Sequence, residues 1–207
     1  MQYIQFRELM GGFTVFSLDD IRQADPHFHR RRLNEWQGKG YITRVINGRY
    51  IFADLALDEK TLFEIANRIY APSYVSFEMA LAFHGLIPES VYGITSASTR
   101  KTKRFRTSLG EFSYRAVRPR LYFGFEYLSA GRASCKIASA EKALLDQIYL
   151  HDGLKSAGDF AQLRLNREAF AQKVDRTKLA RFAEIYETPS FMRRVKALLE
   201  YMAHARA

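Results

Sequence analysis

Cysteine is almost absent from this chain, since Cys135 is the only one in 207 residues. A single cysteine excludes an internal disulfide and any metal cluster held by several cysteines. The sequence also lacks a run near the roughly 18 apolar residues that a membrane-spanning helix needs. Residues 1–5 lack the basic and then apolar pattern of a signal peptide. We therefore expect a cytoplasmic protein that makes no membrane contact.

Acidic residues are scarce, with 22 Asp and Glu against 32 Lys and Arg, for a formal net charge of +10. The excess is uneven: residues 71–138 hold ten basic and four acidic side chains, and residues 26–50 hold six basic side chains against Glu35 alone. Hydrophobic residues make up 47% of the chain, which is typical of a globular protein. Such a charge favours a polyanionic partner, with nucleic acid first.

The common catalytic signatures are missing as well. The sequence has neither the phosphate-binding pattern Gly-x-x-x-x-Gly-Lys nor the nucleophile pattern Gly-x-Ser-x-Gly. Its five histidines have no zinc spacing. The triplet Asp58-Glu59-Lys60 has the letters of a nuclease site but the position of a helix cap. We expect a protein that is not an enzyme and that needs no cofactor and no metal.

Residues 25–38 predict a helix with one basic and one apolar face. Asp25 suits the N-cap, Pro26 the first helical position, and Gly38 with Gly40 the end. The apolar positions recur at helical spacing: these are Phe28, Leu33 and Trp36. Arginines and an asparagine on the free face suit a DNA groove, because Arg pairs with guanine and phosphates and Asn pairs with adenine. The alternative is a solvated basic helix.

Two earlier segments predict that this helix belongs to a helix-turn-helix. Residues 2–10 predict a first helix, and residues 14–16 a short extended segment. Ser17 and Asp20 have the spacing of a capping box and predict the start of a second helix. A turn of about two residues would then join the second helix to the basic one, as in a helix-turn-helix.

A hairpin is predicted next. Residues 41–46 and 49–52 are rich in β-formers, and Asn47-Gly48 between them favours a type I′ turn. Three helices and a hairpin predict a winged helix-turn-helix over residues 1–56. A small three-helix core with an added hairpin is the alternative. For Arg32 we keep open a pair with Glu35 or a position on the core side. The predicted DNA-binding residues are Arg30, Arg31, Arg32, Asn34, Lys39, Arg44 and Arg49.

The rest of the chain predicts an α+β region. Asp58 caps a helix to about residue 70, taken as a linker helix within 57–72. Ser76 caps a helix over 77–84, and Ser139 caps another. Strand-like runs occupy 91–98, 112–117, 121–125 and 136–138, and helices are predicted over 161–165, 167–174, 178–186 and 190–204. The predicted fold class is α+β: a winged helix-turn-helix followed by a domain over 73–207 with a small antiparallel sheet and C-terminal helices.

The stretch from Ala71 to Glu89 (APSYVSFEMALAFHGLIPE) resembles the hallmark of the AbiEi family, the antitoxins of type IV toxin–antitoxin systems. The resemblance continues in VYGITS at 91–96, RKTK at 100–103 and IASAEKALLD at 137–146. It implies an N-terminal winged helix and a C-terminal antitoxin domain in a phage-defence system. It further implies repression of the protein's own operon and neutralisation of a nucleotidyltransferase-type toxin encoded nearby. The motif identifies no catalytic residue.

A second basic segment lies within this resemblance. It is expected to contact flanking DNA, the toxin or the toxin's RNA substrate, and its alternative interpretation is a solvated loop between strands. The residues in question are Arg100, Lys101, Lys103, Arg104 and Arg106.

Two hypotheses follow. In the first, the chain is a DNA-binding repressor and antitoxin that binds double-stranded DNA at its own operator. In the second, it is an antitoxin or adaptor that binds no DNA and acts on the toxin or on RNA through its basic second domain. No heptad seam indicates a stable dimer, so we expect a monomer or a weak dimer.

Overall fold

The computed structural model describes residues 1–88, 92–130 and 133–204, and it begins with three short helices and a hairpin. The elements are α1 (Tyr3–Met10), α2 (Leu18–Ala24), α3 (Arg31–Gly38), β1 (Ile42–Ile46) and β2 (Arg49–Phe52). Between α1 and α2, Phe16 forms an isolated antiparallel bridge with Tyr50 of β2. These elements enclose a largely aromatic core that includes Phe6, Phe16, Phe28, Trp36, Tyr50 and Phe52.

Helix α2 begins as predicted, but α3 does not. The Ser17 hydroxyl accepts from the Asp20 N–H, and the Asp20 carboxylate accepts from the Ser17 N–H at 2.7 Å. Asp25 ends α2 and does not cap α3, which starts at Arg31. The Asp25 carboxylate accepts from the His27 N–H at 3.1 Å, and Asp-Pro favours this turn as strongly as a helix start. The predicted two-residue turn is therefore wrong: residues 25–30 separate the helices.

The hairpin has the predicted bounds, except that β1 begins at Ile42 instead of Tyr41, but its turn is different. Gly48 has φ of +76°, whereas Asn47 keeps a negative φ, so the predicted type I′ turn is wrong. The register shifts between Arg44 and Ile46, which leaves Val45 as a bulge. A bulge beside the turn adjusts the strand twist that a type I′ turn would otherwise provide.

The remaining elements are helices on a six-stranded sheet. The helices are α4 (Glu59–Ile69), α5 (Phe77–Phe83), α6 (Ala140–Leu150), α7 (Ala157–Gln162), α8 (Arg167–Lys173), α9 (Arg176–Glu184) and α10 (Pro189–His204). The strands are β3 (Ser73–Val75), β4 (Ile94–Ser98), β5 (Lys103–Thr107), β6 (Gly110–Ala116), β7 (Phe125–Ala130) and β8 (Ala133–Ala138). The predicted beginning of a strand at Val91 lies outside the described residues, as does Glu89 of the resembling stretch.

The sheet is mixed, so the predicted small antiparallel sheet is wrong. Its order is β5-β6-β4-β3-β8-β7, with β4 parallel to β6 and β3 parallel to β8. The prediction missed β3, which has only three residues, β5, which is too basic to look like a strand, and all of β7 except Phe125. The predicted strand at 121–125 is wrong before Phe125, the first residue of β7, because a 3-10 turn occupies Pro119–Leu121 and Gly124 has φ of +71°. A Cβ at Gly124 would come within 2.9 Å of Phe182, so this close approach requires glycine.

Residues of the N-terminal segment pack into the hydrophobic core that lies against the six-stranded sheet. Val15, Val45 and Ile51 belong to the larger hydrophobic cluster, which also contains Phe63 of α4. The Thr14 hydroxyl donates to Glu64 of α4 at 2.6 Å. Helix α4 packs on β8 and β3. The boundaries at 56/57 and 72/73 stay predictions. Within the described ranges, no helix is long and apolar enough to cross a bilayer.

Candidate nucleic-acid interface

Helix α3 presents a basic face because its apolar side is anchored in the core. Leu33 and Trp36 are buried at 1% and 3% exposure, respectively. The Arg31 side chain is 88% exposed, and Arg30 and Asn34 are exposed too. All three can therefore reach a ligand without any rearrangement of the core.

One of the two alternatives for Arg32, a pair with Glu35, is not what the structure has. Arg31, not Arg32, lies nearest to Glu35, with Arg31 Nε 3.6 Å from Glu35 Oε1. Arg32 is half-buried, which fits the alternative that it lies towards the core side. An exposed pair of this kind contributes little to stability, so Arg31 remains available to a stronger anionic partner.

The end of α3 and the hairpin add three more basic groups, one at the helix C-cap and two on the strands. Helix α3 packs on β1. Lys39 follows α3 directly and is exposed, as is Arg44 on β1, whereas Arg49 on β2 is half-buried. The chain turns back after α3 through a Schellman motif, in which the Tyr41 N–H donates to the Trp36 carbonyl at 2.9 Å. This turn leads the chain from α3 directly into β1, on which α3 packs.

From Lys103 onwards the basic segment 100–106 is an edge strand rather than the loop of the alternative interpretation. Lys103, Arg104 and Arg106 lie on β5, and all three are exposed. Arg104 and Arg106 lie on one face, where their Nε atoms are 3.2 and 3.6 Å from the carboxylate of Glu111 on β6. Phe105 lies on the other face and packs on Tyr114. Two guanidinium groups sharing one carboxylate leave net positive charge on this edge.

Arg100 and Lys101 are held differently. The Arg100 guanidinium lies 4.2 Å from the centre of the Tyr70 ring and donates to the Ala71 carbonyl at 3.2 Å. The Lys101 carbonyl accepts from the Tyr70 hydroxyl at 2.8 Å. Both side chains are exposed. Their backbone is fixed to the end of α4, so they extend the basic surface from a rigid base.

The hairpin and β5 form the two walls of one groove. The sequence patterns of the two segments did not predict that they lie together. The groove has a volume of about 710 Å³. Its walls are Arg44 to Asn47 on one side and Lys103 to Ser108 on the other. The structure thus brings the predicted wing and the predicted second basic segment together on one surface.

No protein-family model matches this sequence, and a search of the curated proteins finds no relative. The resemblance described above therefore rests on the residues quoted for it.

Several of those residues meet in a buried polar network that sequence reasoning missed. Asp146 Oδ2 accepts from the Tyr74 hydroxyl at 2.9 Å and from the Ser76 hydroxyl at 2.7 Å. Lys142 Nζ donates to Asp146 Oδ1 and, at 2.9 Å, to the Tyr186 hydroxyl. Lys142 and Asp146 are four residues apart, which is the spacing of an ion pair along a helix. The sequence did not indicate that this pair is buried. This network fixes α6 against β3 and the C-terminal helices.

The residues of this network are closed to solvent. Lys142 and Asp146 are fully buried. Burial lowers the pKa of the Lys142 ammonium, and the Asp146 carboxylate opposes that change. Among the described residues, no group of three or more His, Cys, Asp or Glu could hold a metal ion. Cys135 is buried, which raises the pKa of its thiol.

Proposed function

We propose that the chain is a DNA-binding transcriptional repressor that acts as the antitoxin of a type IV toxin–antitoxin system. It binds double-stranded DNA at its own operator and counters a nucleotidyltransferase-type toxin through the region from residue 73 onwards. The observation that carries the proposal is the groove of about 710 Å³ between the hairpin and β5, which is lined by Arg44, Lys103, Arg104 and Arg106. The exposed cations of α3 lie outside this groove, on a helix that packs on β1 of the hairpin.

The arrangement of the N-terminal elements supports the DNA-binding part. Three short helices, a two-stranded hairpin and the Phe16–Tyr50 bridge have the order of a winged helix-turn-helix. In that arrangement the third helix enters the major groove and the wing lies along the neighbouring backbone. Arg30, Arg31 and Asn34 then contact bases or phosphates, while Arg44 and Arg49 contact phosphates.

The position of β5 adds to the proposed DNA-contacting surface of α3 and the hairpin. A duplex held by α3 and the hairpin would meet Lys103, Arg104 and Arg106 at the far wall of the groove. Backbone contacts from these side chains add affinity without sequence preference, because phosphates are the same at every base pair. The antitoxin part of the proposal is supported by the resemblance over residues 71–146 alone.

The DNA-binding proposal is tested by fluorescence anisotropy with a duplex from the protein's own promoter region, titrated at several salt concentrations. With about six phosphate contacts, log affinity falls against log salt with a slope near −5. Arg31→Ala with Arg49→Ala should weaken binding and reduce the slope by up to about 2. The matched control is Arg181→Ala with Arg193→Ala, two exposed arginines on α9 and α10. Unchanged affinity in the first double variant would contradict the assignment of α3 and the hairpin.

One observation favours the second hypothesis, in which the basic second domain acts on the toxin or on RNA. Three cations of the groove belong to β5, so a single-stranded RNA could lie along that strand without touching α3. Lys103→Ala with Arg106→Ala should then abolish rescue from toxin co-expressed in cells, while Arg31→Ala with Arg49→Ala leaves it intact. The reverse pattern would exclude this hypothesis.

A further inference from the structure

Basic side chains also gather beyond the groove, where strands β4 and β6 end. Residues 92–125, all of which the structure describes, hold eight of the chain's 32 lysines and arginines but only one of its 22 acidic residues, Glu111. Five of the eight belong to the basic segment 100–106. The proposed function does not use the other three, which are Arg115, Arg118 and Arg120.

Strands β4 and β6 are parallel and end side by side, with Ser98 opposite Ala116. Two hydrogen bonds join the segments that follow. The Val117 N–H donates to the Ser98 carbonyl at 2.8 Å, and the Ala116 N–H donates to the Thr102 hydroxyl at 3.2 Å. The cations at the end of β6 therefore lie beside the beginning of the basic segment 100–106.

Two of the three additional arginines are available to an anionic partner. Arg115 and Arg118 are exposed, and neither side chain has an ion pair or a hydrogen bond within the described part of the chain. Arg120 differs, because its guanidinium pairs with Glu187 and donates to the Tyr186 carbonyl at 3.1 Å. Arg120 therefore holds the C-terminal helices, whereas the other two arginines have no such task.

Arg104 connects this end of the sheet to the groove. It lines the groove between the hairpin and β5, and together with Arg115 it lines a cleft of about 220 Å³. Arg104 pairs with Ser113 in the sheet, and Arg115 is two residues further along β6, so both side chains lie on one face. From Glu111 to Arg115 this face is about 14 Å long, which matches about four base pairs of a duplex.

The carboxylates at this cleft already have partners. Glu111 lies 3.2 Å from Arg104 and 3.6 Å from Arg106, and Glu78 accepts from Gln147 Nε2 at 3.0 Å. The cation that β6 contributes to the cleft is therefore left for a phosphate.

We propose that the sheet-end patch, made of Arg100, Lys101, Arg115 and Arg118, binds phosphates of the duplex that flanks the operator. This inference rests on the proposed function, because α3 and the hairpin hold the same duplex. Phosphates are alike at every base pair, so the patch binds flanking DNA of any sequence.

Fluorescence anisotropy of the full chain with two duplexes tests this inference. One is the shortest promoter duplex that the protein binds, and the other extends it on each side by about ten base pairs of unrelated sequence, one helical turn. We expect the extension to tighten binding about fivefold or more at about 0.1 M salt and to steepen the slope of log affinity against log salt by about 2. Arg115→Ala with Arg118→Ala should abolish both gains and leave binding of the short duplex unchanged.

Two further double variants show whether charge at these positions is what matters. Arg115→Lys with Arg118→Lys should keep most of the gain, because a single phosphate contact requires a charge rather than a planar guanidinium. The matched control is Arg176→Ala with Arg193→Ala, two exposed arginines on α9 and α10, which should keep the full gain. Circular dichroism of each variant verifies that the fold is intact.

Four results would overturn the inference. If the short duplex binds and the extension adds nothing, the inference fails and the proposed function stands. If neither duplex binds, both fail. A gain that persists in the first alanine variant, or that the control loses equally, places the contact elsewhere. Tighter binding of a single-stranded RNA of the same length, lost in Tyr92→Ala, would assign the cleft to an unpaired strand, because Tyr92 is 98% exposed there and stacks on a free base.

Discussion

The two cores of this molecule differ in what they bury. In residues 1–56, all of which the structure describes, no lysine, arginine, aspartate or glutamate is buried. The larger core beneath the sheet buries Glu64, Glu141, Lys142 and Asp146. The first core is held by apolar and aromatic packing, and the charged side chains around it lie nearer the surface. The second core uses charges to position elements that are distant in sequence.

The largest effect is expected where a buried charge loses its partner. Asp146→Ala leaves the ammonium of Lys142 and the hydroxyls of Tyr74 and Ser76 without their shared acceptor. We expect a loss of about 3–5 kcal/mol in the free energy of unfolding, because an uncompensated buried charge is costly. Urea denaturation of the variant and the unmodified chain measures this difference in the free energy of unfolding.

The control for this prediction is the double variant Lys142→Met with Asp146→Leu. Replacing both members of a buried pair by apolar residues of similar size should recover much of the lost stability. A loss below about 1 kcal/mol in Asp146→Ala would mean that the network is not important for stability.

In the N-terminal core the equivalent test removes apolar contacts. Leu33→Ala should cost about 3 kcal/mol, since it opens a cavity beneath α3 where Leu33 is 1% exposed. Leu57→Ala is the matched control, because Leu57 is 46% exposed and its truncation should stay within about 0.5 kcal/mol. Equal effects in the two variants, measured by urea denaturation, would show that α3 is not anchored as described.

The hairpin turn offers a smaller effect. Gly48→Ala should cost about 1–2 kcal/mol, because an L side chain is strained at a φ of +76°. Gly12→Ala is the control, since Gly12 has open space around its Cβ position and no positive φ. If thermal unfolding shows the same midpoint for both variants, the turn does not have this conformation.

The smallest effect concerns the pH dependence of the second core. Burial raises the pKa of Glu141, but hydrogen bonds from Lys178 and Ser139 outweigh burial and hold it below its ordinary value of about 4.5. The ionised group therefore stabilises the fold fully above that value, and this contribution is lost as the pH falls through the lower pKa of the folded state. Stability should fall less steeply with acid in Glu141→Gln than in the unmodified chain, by urea denaturation from about pH 7 to about pH 3. Identical slopes would contradict the prediction.

Sequence patterns predicted most of what depends on neighbouring residues. The cap by Ser76 is the exception, because its hydroxyl donates to Asp146 and makes no cap hydrogen bond. The cap of α2 by Ser17, that of α4 by Asp58 and that of α6 by Ser139 involve groups three residues apart, and all three were predicted correctly. The start of α3 was wrong because Asp25-Pro26 favours two local structures, and the contacts of Phe28 with the core decide between them.

What depends on distant residues could not be predicted. Tyr74 and Asp146 are 72 positions apart, so no spacing rule indicates their hydrogen bond. The same holds for the groove, whose walls come from Arg44 and the β5 segment. Exposure of the basic side chains was predictable from the apolar positions beside them, but their common surface depends on how the hairpin packs on the sheet.

The packing of Val15, Val45 and Ile51 into the larger core has a consequence for the proposed DNA binding. Because the hairpin packs into the same core as the sheet, the N-terminal elements and the rest of the molecule would approach a duplex together as one body. A second half-site would then have to be occupied by another whole molecule. The tolerated distance between half-sites would be set by the girth of the bodies lying side by side along the duplex, and not by the reach of a flexible tether.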